Sequence, residues 1–160
     1  MDIKSSDFKP TNNETFTPKE KVILNITNKF LTSHQKYIDI ILEIINGESR
    51  TSLRLLEWLV TGYSNKNNIF YETNNDLFYI NKEYRNEVNK YSKRYFDPFC
   101  RQKKIIYTYH SKDSNKDTIF STSIGQLNFF QWAIKNKVIT YLENHLDEIK
   151  EDMISKYKLI

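Results

Sequence analysis

Two pairs of short β-prone segments, each pair split by a polar turn, lie between stretches of helical periodicity, and this order limits the fold more than any other feature of the chain. Ile69-Phe70-Tyr71 and Leu77-Phe78-Tyr79-Ile80, separated by Thr73-Asn74-Asn75-Asp76, read as a β-hairpin. Residues 104–110 and 118–121 read as a second hairpin across the polar turn at 112–116. Between them, residues 82–95 have helical periodicity, and Asp97-Pro98 closes that helix because proline disfavours helix at the residue before it. Strands gathered between helical flanks predict an α+β fold with a small antiparallel sheet of two hairpins, not an alternating parallel α/β fold.

The flanks read as helical pairs. Ser33 is a plausible N-cap for a helix reaching Asn46, with Gly47 as its stop, and a second helix over 52–64 carries Leu53, Leu56, Trp58, Leu59 and Val60. Their short link predicts an antiparallel pair. Ser123 caps a helix over 124–136, followed by another over 138–157. The stretch Val22-Ile23-Leu24-Asn25-Ile26 fits a strand or the lead-in to a helix equally well. Residues 1–20, with Pro10 and Pro18 and few apolar side chains, read as a mobile N-terminal arm, leaving 21–160 as a single α+β domain. A chain of 160 residues suits one core that buries roughly 68–70% of the unfolded surface.

Several chemistries lack their residues. Gly47, Gly62 and Gly125 are isolated, so no phosphate-cradling glycine loop is present. One cysteine, Cys100, with His34, His110 and His145 far apart, makes no recognisable zinc pattern and no intramolecular disulfide. Cys100 and His110 are the one nucleophile and base on offer; the plainer reading is a half-buried thiol beside Phe99. Glu143, Asp147 and Glu151 recur every four residues, as a hard-cation site on one helical face would, or as a solvated surface. No apolar run approaches a membrane span. The expectation is a cytosolic or nuclear protein that acts by binding, without catalysis, cofactor, metal, small-molecule substrate or membrane partner.

One segment rises above this background. Residues 82–104 hold Lys82, Arg85, Lys90, Lys93, Arg94, Arg101, Lys103 and Lys104 against Glu83, Glu87 and Asp97, a net of +5, while the rest of the chain carries 16 basic and 17 acidic residues. At 100° per residue Tyr84, Val88, Tyr91 and Tyr95 share one helical face, and Lys82, Arg85, Asn89, Lys90 and Lys93 the other. A basic stripe packed on an aromatic back can neutralise phosphates along a nucleic acid with little sequence selectivity, and 101–104 would extend it. Tyr107 and Tyr109 alternate on one strand face, where they would stack on bases or pack on helices. Abundant aromatics, 11 Tyr and 10 Phe, also fit a symmetric homodimer acting in assembly.

Lys, Asn and Ile supply 55 of the 160 residues, a bias expected of an A+T-rich genome. In that setting three segments stand out: Ser52-Leu53-Arg54-Leu55-Leu56-Glu57-Trp58-Leu59-Val60-Thr61, Tyr95-Phe96-Asp97-Pro98-Phe99-Cys100-Arg101, and Thr122-Ser123-Ile124-Gly125-Gln126-Leu127-Asn128-Phe129-Phe130-Gln131-Trp132-Ala133-Ile134. In this order, over about residues 50–142, they resemble an uncharacterised protein family of nucleocytoplasmic large DNA viruses, including mimivirus-like and marseillevirus-like groups. The resemblance implies a viral protein of the virion or the cytoplasmic viral factory and transfers no catalytic residue. The chain departs from the pattern at Gln102, where a second basic residue often follows the arginine. Arg54, on an apolar helix, is expected to need a buried or interfacial partner.

Overall fold

The computed structural model describes residues 3–11 and 15–158. Thr17-Pro18-Lys19-Glu20 opens the first long helix: the Thr17 hydroxyl accepts from the Glu20 amide, Glu20 answers on the Thr17 amide at 2.9 Å, and Pro18 occupies the first turn. Helix α1 (Pro18–Leu31) therefore includes 22–26. The Ser33 hydroxyl donates to the Phe30 carbonyl and finishes α1, so α2 (Gln35–Ile45) starts from His34 without a side-chain cap. Gly47 receives the chain beyond α2 at φ +73°, as a helix stop requires. Ser52 does cap α3 (Leu53–Trp58), which widens into a π turn over Leu59–Tyr63 and ends in α4 (Ser64–Lys66).

Residues 8–10, read above as part of a mobile arm, form strand β1 (Phe8–Pro10). It pairs antiparallel with β4 (Ile105–Ser111), Phe8 opposite Tyr109, and β4 pairs with β5 (Lys116–Thr122). Phe8 is fully buried, with ring centroids 4.9 Å from Tyr107 and 6.0 Å from Phe120. A three-residue strand with one inward apolar side chain and a closing proline leaves no compositional trace, which is why the segment reads as an arm. Its residues 1–2 and 12–14 lie outside the described residues. The other hairpin, β2 (Phe70–Thr73) and β3 (Asp76–Tyr79), turns through Asn74 and Asn75 at φ +52° and +64°, a conformation asparagine tolerates. The α+β class holds, but the hairpins do not share one sheet: β1-β4-β5 and β2-β3 are separate.

Four helices complete the chain: α5 (Ile80–Tyr95), α6 (Ile124–Lys135), α7 (Val138–Asn144) and α8 (Leu146–Lys158). Helix α6 is buried on nearly all sides and runs through the core, covered by α1, α5 and α7. Instead of forming a close pair with α2, α3 packs against α7 and α8. Two of the segments behind the resemblance meet at the start of α6. The Gln126 amide donates to the Pro98 carbonyl (3.0 Å) and accepts from Thr122 (2.8 Å), and Asn128 donates to the Tyr95 carbonyl (2.9 Å). These buried amides are satisfied by the corner that follows α5, so they hold it in place. Gly125 lets the backbones touch: a Cβ there would sit 3.0 Å from the Arg94 carbonyl oxygen and 3.2 Å from the Phe96 nitrogen.

The expected helix over 138–157 is broken at His145, whose backbone ends α7 and whose ring stacks on Tyr141 at 4.0 Å. Glu143 thus belongs to a different helix from Asp147 and Glu151, and Asp147 faces Arg50 at 3.8 Å. Among the described residues no group of three His, Cys, Asp or Glu side chains is arranged to hold a metal ion, and no helix is long and apolar enough to cross a membrane.

Candidate nucleic-acid interface

Helix α5 is fixed at both ends, and that decides which of its side chains face solvent. Near its start the Asn81 amide donates to the carbonyls of Val60 (2.9 Å) and Thr61 (3.3 Å), in and beside the π turn. One turn on, Tyr84 is buried against Phe96, Phe129 and Trp132, with centroids 5.8–6.4 Å apart, and burial followed by the charge of Asp97 pushes its phenol up to about 12. With that face committed to the core, Lys82, Arg85, Lys90 and Lys93 are exposed, as the helical spacing predicts, and Arg94 is exposed as well. The helix does not run unbroken, however. Ser92 sits at φ +64°, ψ +165°, a region that side chains other than glycine rarely enter, so Lys93 and Arg94 leave at a new angle.

Three cations converge on this side. Lys82 and Arg85 line a hollow of about 430 Å³ together with Asn65, Asn68, Tyr79 and Asn81. The same two side chains border a second hollow of about 410 Å³, continued by Asn89 and Lys93 and closed by Thr61. Among the described residues no carboxylate lines either hollow. Among the described residues Lys82, Arg85 and Lys93 have no acidic side chain within ion-pair distance, so their charge is available to an external anion.

The other five predicted basic residues are placed differently. Lys90 lies over the Tyr91 ring at 5.0 Å. Arg94 lies over Tyr95 and, with Lys103 and Glu20, lines a separate narrow recess, where the Lys103 ammonium also approaches the Phe16 ring. Lys104 is exposed near Cys100. Arg101 is engaged: its guanidinium donates to both oxygens of the buried Asp97 carboxylate, at 2.9 and 2.7 Å, which raises its own pKa. Asp97 also accepts from the Phe99 amide, so this ion pair ties the corner after α5. Burial raises the Cys100 thiol, opposed by Ser123 and Lys104, and His110 is paired at 2.6 Å with Asp117; no activated thiolate is assembled.

Tyr107 and Tyr109 face the core, 0% and 3% exposed, so of their two readings packing holds and stacking on bases does not. Two rings are well exposed among the described residues: Tyr157 on α8, 48%, and Phe70 on the β2–β3 hairpin, 50%, where Phe70 stacks on its cross-strand partner Tyr79 at 5.0 Å and Leu77 is 54% exposed. Both faces of that hairpin are aromatic in sequence, so alternation alone does not tell which one the core takes. Arg54 needs no buried partner: it is exposed and lies over the Tyr157 ring at 4.5 Å.

Residues 3–159 match a family of unknown function, DUF7197. An uncharacterised protein of Acanthamoeba polyphaga mimivirus, L507, is 52% identical over 153 residues, which is 93% of this chain and 59% of that protein, so the chain spans about three-fifths of its relative. No solved structure matches the chain. The match extends well beyond the three segments that carried the resemblance, and the chain belongs to this uncharacterised giant-virus family, DUF7197.

Proposed function

We propose that this protein binds DNA or RNA through α5, without catalysis and with little sequence selectivity, in the virion or the cytoplasmic viral factory. The observation that carries this reading is the convergence of Lys82, Arg85 and Lys93 on two adjoining hollows that no carboxylate lines among the described residues. Lys82 and Arg85, one turn apart on the same helix, and Lys93 just past its Ser92 break are held by the fold, so they meet phosphates with little further ordering, and their attraction is independent of sequence. Lys90 and Arg94 extend the positive field on either side of the Ser92 break, while Arg101 serves the fold through Asp97. A gel-shift series at low salt tests the reading. Wild type should bind with log affinity falling by about 2 to 3 per log unit of salt, the slope of roughly three phosphate contacts. The triple change Lys82→Glu, Arg85→Glu and Lys93→Glu should abolish binding while leaving the circular dichroism spectrum unchanged. No binding by wild type at low salt would end it.

A second reading, self-association in assembly, is favoured by one observation. Among the described residues strand β5 is an open sheet edge with Ile119 65% exposed, a surface that a second copy would cover by extending the sheet. Light scattering on wild type and Ile119→Lys separates the two: a dimer that this change dissolves, with no affinity for nucleic acid, replaces the first reading.

A further inference from the structure

The hairpin that precedes α5 presents an apolar, aromatic surface whose inner neighbours are already fully used. On its inner face Tyr71 stacks on Tyr141 (5.7 Å) and donates its hydroxyl to the Asn136 carbonyl (2.6 Å), and Phe78 packs on Trp132 (5.9 Å). Those contacts clamp the hairpin to α6 and α7. Its outer face is the one left in solvent: Phe70, directly opposite Tyr79, with Leu77 two residues along. The paired rings are held by their strands and lose little freedom when something stacks on them.

Position and charge indicate what that is. Tyr79 is both the ring partner of Phe70 and a wall of the hollow that holds Lys82 and Arg85. The aromatic step and the two cations therefore form one continuous surface, and Asn65 and Asn68 add exposed amides with donors and acceptors. Glu72 is exposed on this same face, directly opposite Leu77, and Asp76 stands at the turn beyond it, so an anionic chain leaves across α5 and not towards the hairpin tip. A surface that offers ring faces next to phosphate-binding cations suits a chain whose bases are unstacked and free to turn outward. A duplex keeps its base faces inside and can use only the cations.

We propose that the preferred ligand of this surface is a single-stranded nucleic acid, with a base stacked on the Phe70–Tyr79 step and the neighbouring phosphates on Lys82 and Arg85. This rests on the phosphate-binding reading of α5 and narrows it. The test is fluorescence anisotropy on the full chain with labelled oligo-dT and a labelled duplex of equal length. Wild type should bind the single strand about tenfold more tightly than the duplex, the contribution of one stacked base. Phe70→Leu, which keeps an apolar side chain but removes the ring, should lose about that tenfold on oligo-dT and leave duplex affinity unchanged, whereas Phe70→Tyr should retain it. Lys82→Glu with Arg85→Glu should weaken both probes. Equal affinity for the two probes, or a Phe70→Leu variant that binds oligo-dT like wild type, would overturn the stacking surface while leaving phosphate binding by α5 intact. No binding to either probe would remove both.

Discussion

Replacing Phe8 by alanine tests whether the N-terminal strand is part of the fold or an ornament on it. Phe8 is completely buried among Tyr107, Tyr109 and Phe120, with centroids 4.9, 6.4 and 6.0 Å away. Truncating a buried phenylalanine costs about 3–5 kcal/mol, because the lost transfer free energy is joined by the cavity left behind. Against a total stability of about 5–15 kcal/mol for a domain, that is a large fraction. At about 2–4 °C per kcal/mol for a chain of this size, the melting temperature should fall by roughly 6–20 °C. Urea unfolding followed by tryptophan fluorescence, which reports on the core through Trp132, measures it. Lys9→Ala, on the exposed side of the same strand, is the control and should shift stability by no more than about 0.5 kcal/mol. If Phe8→Ala costs less than about 1 kcal/mol, residues 8–10 behave as a loose arm and the β1–β4 pairing is wrong.

The other predictions concern the α5–α6 corner and the buried phenols. Gly125→Ala should destabilise by about 1–3 kcal/mol in the same assay, because the added Cβ meets backbone atoms of Arg94 and Phe96 that cannot swing away. Ser92→Gly should stabilise by about 1 kcal/mol, since glycine adopts φ +64°, ψ +165° without the strain serine bears there; a loss of stability would show that the break does not strain serine. Burial pushes Tyr84 and Tyr107 up to about 12, so in both the folded state holds its proton above pH 10, where the unfolded chain releases it. Their contribution is complete below pH 10 and is lost as pH rises from 10 towards 12, and a urea midpoint that falls over that range in wild type should fall less in Tyr84→Phe with Tyr107→Phe.

Local rules made the helices and hairpins legible. Ser123 caps where its spacing says it should, whereas Ser33 closes α1 instead of capping α2, and the Asn74-Asn75 turn has the backbone its residues favour. Contacts between distant segments were not legible. Nothing in Phe8-Lys9-Pro10 announces a partner about a hundred residues away, and the capping box at Thr17–Glu20 went unread because the composition around it suggested an arm. For the interface, helical periodicity correctly placed Lys82, Arg85 and Lys93 on the exposed face. It could not foresee that Asp97 would engage Arg101, or that Phe70 would be left in solvent beside a half-buried Tyr79, since both depend on which surface the rest of the chain covers.

The pairing of β1 with β4 also sets a schedule for synthesis. Phe8 finds its place only opposite Tyr109, and α1 packs on α6, so about a hundred residues of synthesis separate these segments from those partners. At 5–20 residues per second that is a wait of roughly 5–20 s, during which Phe8 and the apolar side of α1 are open to other chains or to chaperones. The β2–β3 hairpin and α5 pair locally and form early, whereas the closing step brings the N-terminal strand back onto β4. Folding of this chain should therefore be slow for its size and sensitive to changes near residue 8.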